Sequence, residues 1–368
     1  MLAETAPSQG SIPVYIGTYT GGKSKGIYVS RFDTTTGQLT PPELAVATPS
    51  PSFLALHPDG NILYAAGENT RLDGKPVGAV TAFSRDAKTG QLTLLNHQSS
   101  GGAGPCHLAV DKTGKCLLVA NYGDGSIAAL AIHPDGTLAE PHTVIQHQGS
   151  SLNPERQAGP HAHFITPDPA NRFALACDLG LDQVLAYRLD AALSMLTANN
   201  PPFVAVKPGS GPRHLVFHPS GRFVFLINEM GSTMMTFAYE AGSGTLKELQ
   251  TLSTLPEDFT GPKSGAEVQV HPSGKFVYGS NRGHNSIAVF AFDPASGKLT
   301  FLECQPTQGK TPRHFALDPT GHWLLAENQD SDSIVVFRID LKTGRLSATG
   351  QTVSVGAPVC AVFVPTSS

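Results

Sequence analysis

The sequence predicts an all-β protein: a seven-bladed β-propeller of four-stranded antiparallel blades. Three observations predict it. A short turn recurs about every fifty residues, apolar runs of strand length flank each copy, and the last apolar segment supplies the strand that the first unit lacks. The 38 glycines and 29 prolines among 368 residues suit many short strands joined by tight turns.

The recurring turn reads His57-Pro58-Asp59-Gly60, Asp111-Lys112-Thr113-Gly114, His218-Pro219-Ser220-Gly221, His271-Pro272-Ser273-Gly274 and Asp318-Pro319-Thr320-Gly321. Thr166-Pro167-Asp168-Pro169 fills the fourth-blade place. Proline presets φ in such a turn and the closing glycine supplies a positive φ. With its apolar flanks the turn makes a hairpin of strands A and B. Strand C follows, as in 286–292. A second turn, at Thr36-Gly37, Thr89-Gly90, Ser296-Gly297 and Thr343-Gly344, leads into strand D. His133-Pro134-Asp135-Gly136 resembles the A–B turn, but its register assigns it to the C–D turn.

The first unit, 14–48, has strands B, C and D but no A. The run from Pro358 to Val364 is expected to supply it, closing the ring and removing two open sheet edges. A single blade cannot bury both its faces, so a string of separate domains is excluded. The expected organisation is an N-terminal extension, 1–12, and one propeller domain, 13–368.

The formal net charge of −4 disfavours a nucleic-acid partner, and no apolar run reaches membrane-spanning length, so no membrane partner is expected. One tryptophan cannot supply the repeating Trp-Asp pair of WD-type scaffolds. The five cysteines show no CxxC spacing and read as buried, reduced thiols. A cytoplasmic location is expected. The alternative is a periplasmic or secreted protein whose signal peptide has been removed. A monomer or weak homo-oligomer is expected.

In a ring of repeats, a uniform position serves the fold, and a position broken by a reactive group points to function. Asn121, Asn228, Asn281 and Asn328, with Asp178 in blade 4, end the B strands and read as backbone caps. The next position is varied: Glu68, Tyr122, Leu179, Glu229, Arg282 and Gln329. So is the start of strand A: Ser52, Cys106, His161, Arg213, Ala266 and Arg313. The position after that gives Phe53, His107, Ala162, His214, Glu267 and His314. His163 takes the next place, which is apolar in most blades. Strands A and B run antiparallel, so these positions meet at one mouth of the channel. His161, His163, Arg213, Glu229, Glu267, Arg282 and Arg313 are therefore expected to build an anion-binding funnel there, with Tyr122 beside it. No GxSxG elbow supports a serine nucleophile, and no His-x-x-x-His spacing supports a metal, so no metal or cofactor is expected.

Pro160-His161-Ala162-His163-Phe164, the run 173–182, Pro212-Arg213-His214 and the run 280–287 resemble the propeller-type 6-phosphogluconolactonase family, which shares its fold with fungal carboxymuconate lactonising enzymes. The resemblance spans nearly the whole chain, about 14–364. It implies a lactonase, a carboxylic ester hydrolase of carbohydrate metabolism, with a small anionic sugar lactone as its partner. The leading substrate is 6-phosphoglucono-1,5-lactone of the pentose phosphate pathway. It also implies Glu229, His163, Arg213 and Arg282 as catalytic residues; His161, Arg313, Glu267 and Tyr122 are assigned to substrate binding. Glu229 or His163 would activate water, and Arg213 or Arg282 would hold the oxyanion. Two other functions compete: a non-catalytic propeller that binds a protein or polymer, and a cycloisomerase of a muconate-type diacid.

Overall fold

The five turns that close on glycine form the tight A–B hairpins expected of them. In blade 5 the His218 N–H bonds the Phe223 carbonyl and the Gly221 N–H returns to the His218 carbonyl, with Gly221 at φ 68°. A computed structural model describes residues 10–68 and 78–365 of the chain. Its strands form seven four-stranded antiparallel sheets. The first combines Pro358–Phe363 with Ser11–Thr18, Gly26–Asp33 and Glu43–Ala47, so the C-terminal segment is strand A of blade 1, with Phe363 opposite Val14. The expected 1–12 extension lies mostly outside the described residues. Ser11 and Ile12 are already paired with Asp33 and Phe32, so the first strand starts before the expected boundary. His133 to Gly136 joins strands C and D of blade 3.

Apolar side chains on the two faces of each sheet pack against neighbouring blades, giving seven inter-blade clusters rather than one central core. Polar bonds tie the blades at fixed points. The hydroxyls of buried Tyr15, Tyr64 and Tyr278 donate to the carbonyls of Gly90, Gly136 and Gly344 in the C–D turn of the next blade. Three members of the asparagine ring bind the B strand to the incoming crossover from the preceding blade, while Asn228 Nδ2 instead donates to Thr233 Oγ1 within blade 5. The Nδ2 of Asn121 donates to the Ser100 carbonyl, that of Asn281 to Thr254 and that of Asn328 to Thr307. Asn121, Asn281 and Asn328 cap backbone carbonyls, and Asp178 accepts the His161 and Leu181 N–H groups, as expected; Asn228 departs from the pattern.

One local irregularity positions the site. In six blades strand A carries an extra residue near its start: Ser52, Cys106, His163, Arg213, Arg313 and, in blade 1, Val359 each lie between two paired neighbours, unmatched on strand B. Blade 6 places Ala266 and Glu267 there against Ser280. Such bulges turn a side chain away from its usual direction, here toward the channel mouth.

The bulge corrects the expected register of blade 4. His163, not His161, is the equivalent of Cys106, Arg213 and Arg313. The hairpin turn there is Asp168 to Phe173. The Asp168 N–H bonds the Phe173 carbonyl and the Asn171 N–H bonds the Asp168 carbonyl, with Asn171 at φ 58° taking the glycine's place. Pro169, rather than Pro167, is thus the turn proline. His161 sits one step earlier, in the crossover, where its carbonyl accepts the Leu179 N–H.

Candidate active site

The bulge residues of strand A and the residues just past strand B meet at one mouth of the channel. A cavity of about 370 Å³ opens there, within the range of small-molecule sites. Tyr19, Glu68, Tyr122, Glu229 and Arg282 reach it from the ends of B strands. Cys106, His163 and Arg313 reach it from the bulges, Ser264 from the first residue of strand A of blade 6, and Arg156 from a crossover.

Glu229 is the electrostatic centre. Its carboxylate is almost fully buried. Arg156 Nη2 lies 2.6 Å from Oε1, while Arg282 Nη2 and Arg213 Nε lie 2.8 and 3.2 Å from Oε2. Burial alone would raise its pKa, but Arg282, Arg213, His163 and Arg156 outweigh it and hold the carboxyl well below the usual carboxylate range. The guanidiniums are themselves braced. Arg213 Nη1 donates to the Ala266 carbonyl at 2.7 Å and Arg282 Nη2 to the Gly265 carbonyl at 2.9 Å. Both carbonyls belong to strand A of blade 6, so the bulge there also sets the direction of the arginines.

Arg313 is held differently. It lies over the Tyr19 ring, 5.4 Å from its centroid, and forms no ion pair among the described residues. The Tyr19 hydroxyl donates to Glu68 Oε2 at 2.7 Å. Burial opposes the charge of Arg313, but Tyr19, Glu68 and Glu229 more than restore it. Among the described residues four guanidiniums thus surround two carboxylates, which gives this part of the mouth a net positive charge.

His163 is buried on the cavity wall. Burial, then Arg213, push its pKa well below that of an ordinary histidine, so it is a neutral imidazole at physiological pH. Its Nδ1 lies 3.8 Å from Cys106 Sγ, and the Tyr122 and His214 rings meet its ring edge to face. Burial also raises the Cys106 thiol out of the nucleophilic range.

The remaining expected residues divide. Tyr122 lines the cavity, and its hydroxyl accepts from Arg156 Nη2 at 3.2 Å. His161 does not line it. Its ring stacks on Tyr122 with centroids 4.5 Å apart, and its Nδ1 lies 2.8 Å from the Tyr122 carbonyl. Glu267 is one layer deeper, 2.8 Å from His214 Nδ1 and 3.6 Å from His314 Nε2. Arg213 touches Glu229 from behind rather than lining the cavity.

The family profile described as "Lactonase, 7-bladed beta-propeller" matches residues 13–363. The chain belongs to this family. It is a lactone hydrolase, acting on a cyclic carboxylic ester. A 6-phosphogluconolactonase of Bacillus subtilis is 38% identical over 350 residues, covering 95% of this chain and 97% of that one. A 6-phosphogluconolactonase of Formosa agariphila is 35% identical over 83% of this chain and 86% of its own length. Among solved structures, a periplasmic gluconolactonase of Pseudomonas aeruginosa superposes with a TM-score of 0.91 at 38% identity, covering 96% of this chain and 99% of that one.

Sequence reasoning did not single out Tyr19, Arg156 or Ser264. Tyr19 continues the ring of residues that follow strand B, in the blade whose A strand comes from the other end of the chain. Arg156 lies in the crossover 147–161, the longest connection between consecutive blades. That length was the available signal.

Proposed function

We propose that the protein hydrolyses 6-phosphoglucono-1,5-lactone to 6-phosphogluconate at this mouth of the channel. The observation that carries the reading is the excess of guanidinium over carboxylate around one cavity among the described residues, where Arg313 has no carboxylate partner. A phosphate ester, with two negative charges near neutral pH, suits that field. The relatives named as 6-phosphogluconolactonases support the same substrate.

The geometry favours His163 over Glu229 as the group that activates water. Both Glu229 oxygens are engaged by guanidiniums, which weaken it as a base, whereas neutral His163 faces the cavity. His163 takes a proton as water adds to the lactone carbonyl, and Arg282 faces the oxyanion that forms. The ring C–O bond then breaks. The departing ring oxygen takes the proton back from the imidazolium, leaving a hydroxyl and a carboxylic acid that releases its proton to solvent as the carboxylate. Glu229 stabilises that imidazolium through space and aligns Arg282. Arg313 holds the phosphate, and Tyr122, braced by His161, forms the wall beside it.

A coupled dehydrogenase assay for released 6-phosphogluconate tests the reading, run beside the unphosphorylated lactone and with a chelator present. We expect acceleration of the phosphorylated lactone that the chelator leaves unchanged, and a loss of roughly 100-fold or more in His163→Ala. Hydrolysis no faster than the spontaneous rate for either lactone would sink the reading and favour a binding propeller. Five free cysteines, four of them buried, support the cytoplasm as the compartment. The periplasmic Pseudomonas neighbour supports export as the second reading.

A further inference from the structure

We infer that Arg156 is the specificity-determining residue of the site: a loop-borne guanidinium that closes on the substrate's phosphate and separates phosphorylated from unphosphorylated lactones. The inference rests on the lactonase reading above and adds a residue that it does not use.

Arg156 differs from the other three arginines in how it is held. Arg213 and Arg313 stand on strand bulges and Arg282 ends a strand, and all three belong to the sheet framework. Arg156 comes from the 147–161 crossover, and its side chain is 44% exposed while Glu229 beside it is 7% exposed. Its backbone is nonetheless placed firmly. The neighbouring Gln157 is fully buried, and its Nε2 donates to the Leu179 carbonyl and to Asp182 Oδ2, both at 2.8 Å. Ser151 Oγ donates to the same Asp182 oxygen, and Asn153 Oδ1 accepts the backbone N–H of Arg156. The loop is pinned at its root, and the long side chain can swing above the mouth.

The guanidinium is also only partly used. Its two hydrogen bonds, to Glu229 Oε1 and to the Tyr122 hydroxyl, both leave from Nη2. Nε and Nη1 donate to none of the described residues, so one edge of the fork is open to a second acceptor. A phosphate offers three acceptor oxygens in the geometry that a guanidinium fork matches. Arg313 lines the same cavity, so the two would grip the phosphate from the framework side and the loop side. An unphosphorylated lactone has no group to take Arg156 from Glu229 and gains nothing from the loop.

The test compares kcat/KM for the phosphorylated and unphosphorylated lactones in wild type, Arg156→Gln and Arg156→Lys. We expect the preference for the phosphorylated lactone to fall roughly 10- to 100-fold in Arg156→Gln, mostly through KM. Arg156→Lys should recover part of it, because it restores charge without the fork. Inhibition by 6-phosphogluconate should weaken in parallel, while inhibition by gluconate changes less. Wild type that hydrolyses neither lactone overturns the lactonase reading and this inference together. Wild type that prefers the phosphorylated lactone, with the same preference kept in Arg156→Gln, overturns this inference alone.

Discussion

At the residue scale, one carboxylate organises the mouth, and its basicity is what that role costs it. Three guanidiniums around Glu229 keep it ionised and make it a weak proton acceptor, while His163, without a formal charge, remains available. The consequence is a pH profile. An ordinary histidine has a pKa near 6.5, and burial with Arg213 nearby lowers that of His163 well below this value. Because the neutral form accepts the proton, activity is full above the folded pKa and falls only as pH drops through it. We expect kcat/KM to stay flat on descending through pH 6.5 and to show its acid limb below that. A half-maximal point at or above 6.5 would remove His163 from the role of base.

At the scale of the element, the bulge in strand A and the cap at the end of strand B work together. The bulge turns Cys106, His163 and Arg313 into the mouth. The cap holds the B strand where the next residue faces the same space. Asn328 shows the cap in a blade where the following residue, Gln329, stays outside the cavity. Its Nδ2 donates to the Thr307 carbonyl on the crossover from blade 6. The crossover runs so close that a Cβ on Gly309 would lie 2.4 Å from Asn328 Cγ, so this stretch of chain needs its glycine. Asn328→Ala leaves a buried carbonyl unpaired and should cost about 1–2 kcal/mol of stability, with kcat/KM unchanged. Thermal unfolding and steady-state kinetics on the same preparation check both halves. Loss of activity with no loss of stability would mean that the asparagine ring serves the chemistry directly.

At the scale of the whole molecule, the ring is closed by strand A of blade 1, taken from the far end of the chain. Pro358–Phe363 covers the open edge of Ser11–Thr18, and Val359, Cys360 and Ala361 are buried. A chain ending before Pro358 would expose that edge and open two inter-blade clusters, where Ala361 and Cys360 pack. We expect the truncated chain to lose its cooperative calorimetric transition and to aggregate. A sharp transition within a few degrees of the full-length protein would show that closure is dispensable. The same closure brings Tyr19, near the start of the chain, beneath Arg313, so a truncation that left the blades folded would still disturb the anion site.

The blade pattern, the closing strand, the asparagine caps and the gathering of Arg213, Glu229, Arg282 and Arg313 at one mouth were legible in the sequence. Each depends on repetition: a strand with a fixed partner and a two-residue alternation keeps its side chains in equivalent places, and seven copies expose the exceptions. Blade 4 was misread because both Pro167 and Pro169 suit a turn, and only the backbone bonds of Asp168 decide between them. That choice moved His163 into the ring with Arg213 and Arg313 and left His161 behind Tyr122. Glu267 was placed at the mouth because the blade 6 bulge absorbs two residues against one, and that pairing is settled only when the strands meet. Arg156 had no counterpart to compare it with, since its crossover belongs to one blade alone. Local sequence determines which residues enter a ladder. Where a bulge or an unrepeated loop delivers its side chain is decided by packing around the closed ring.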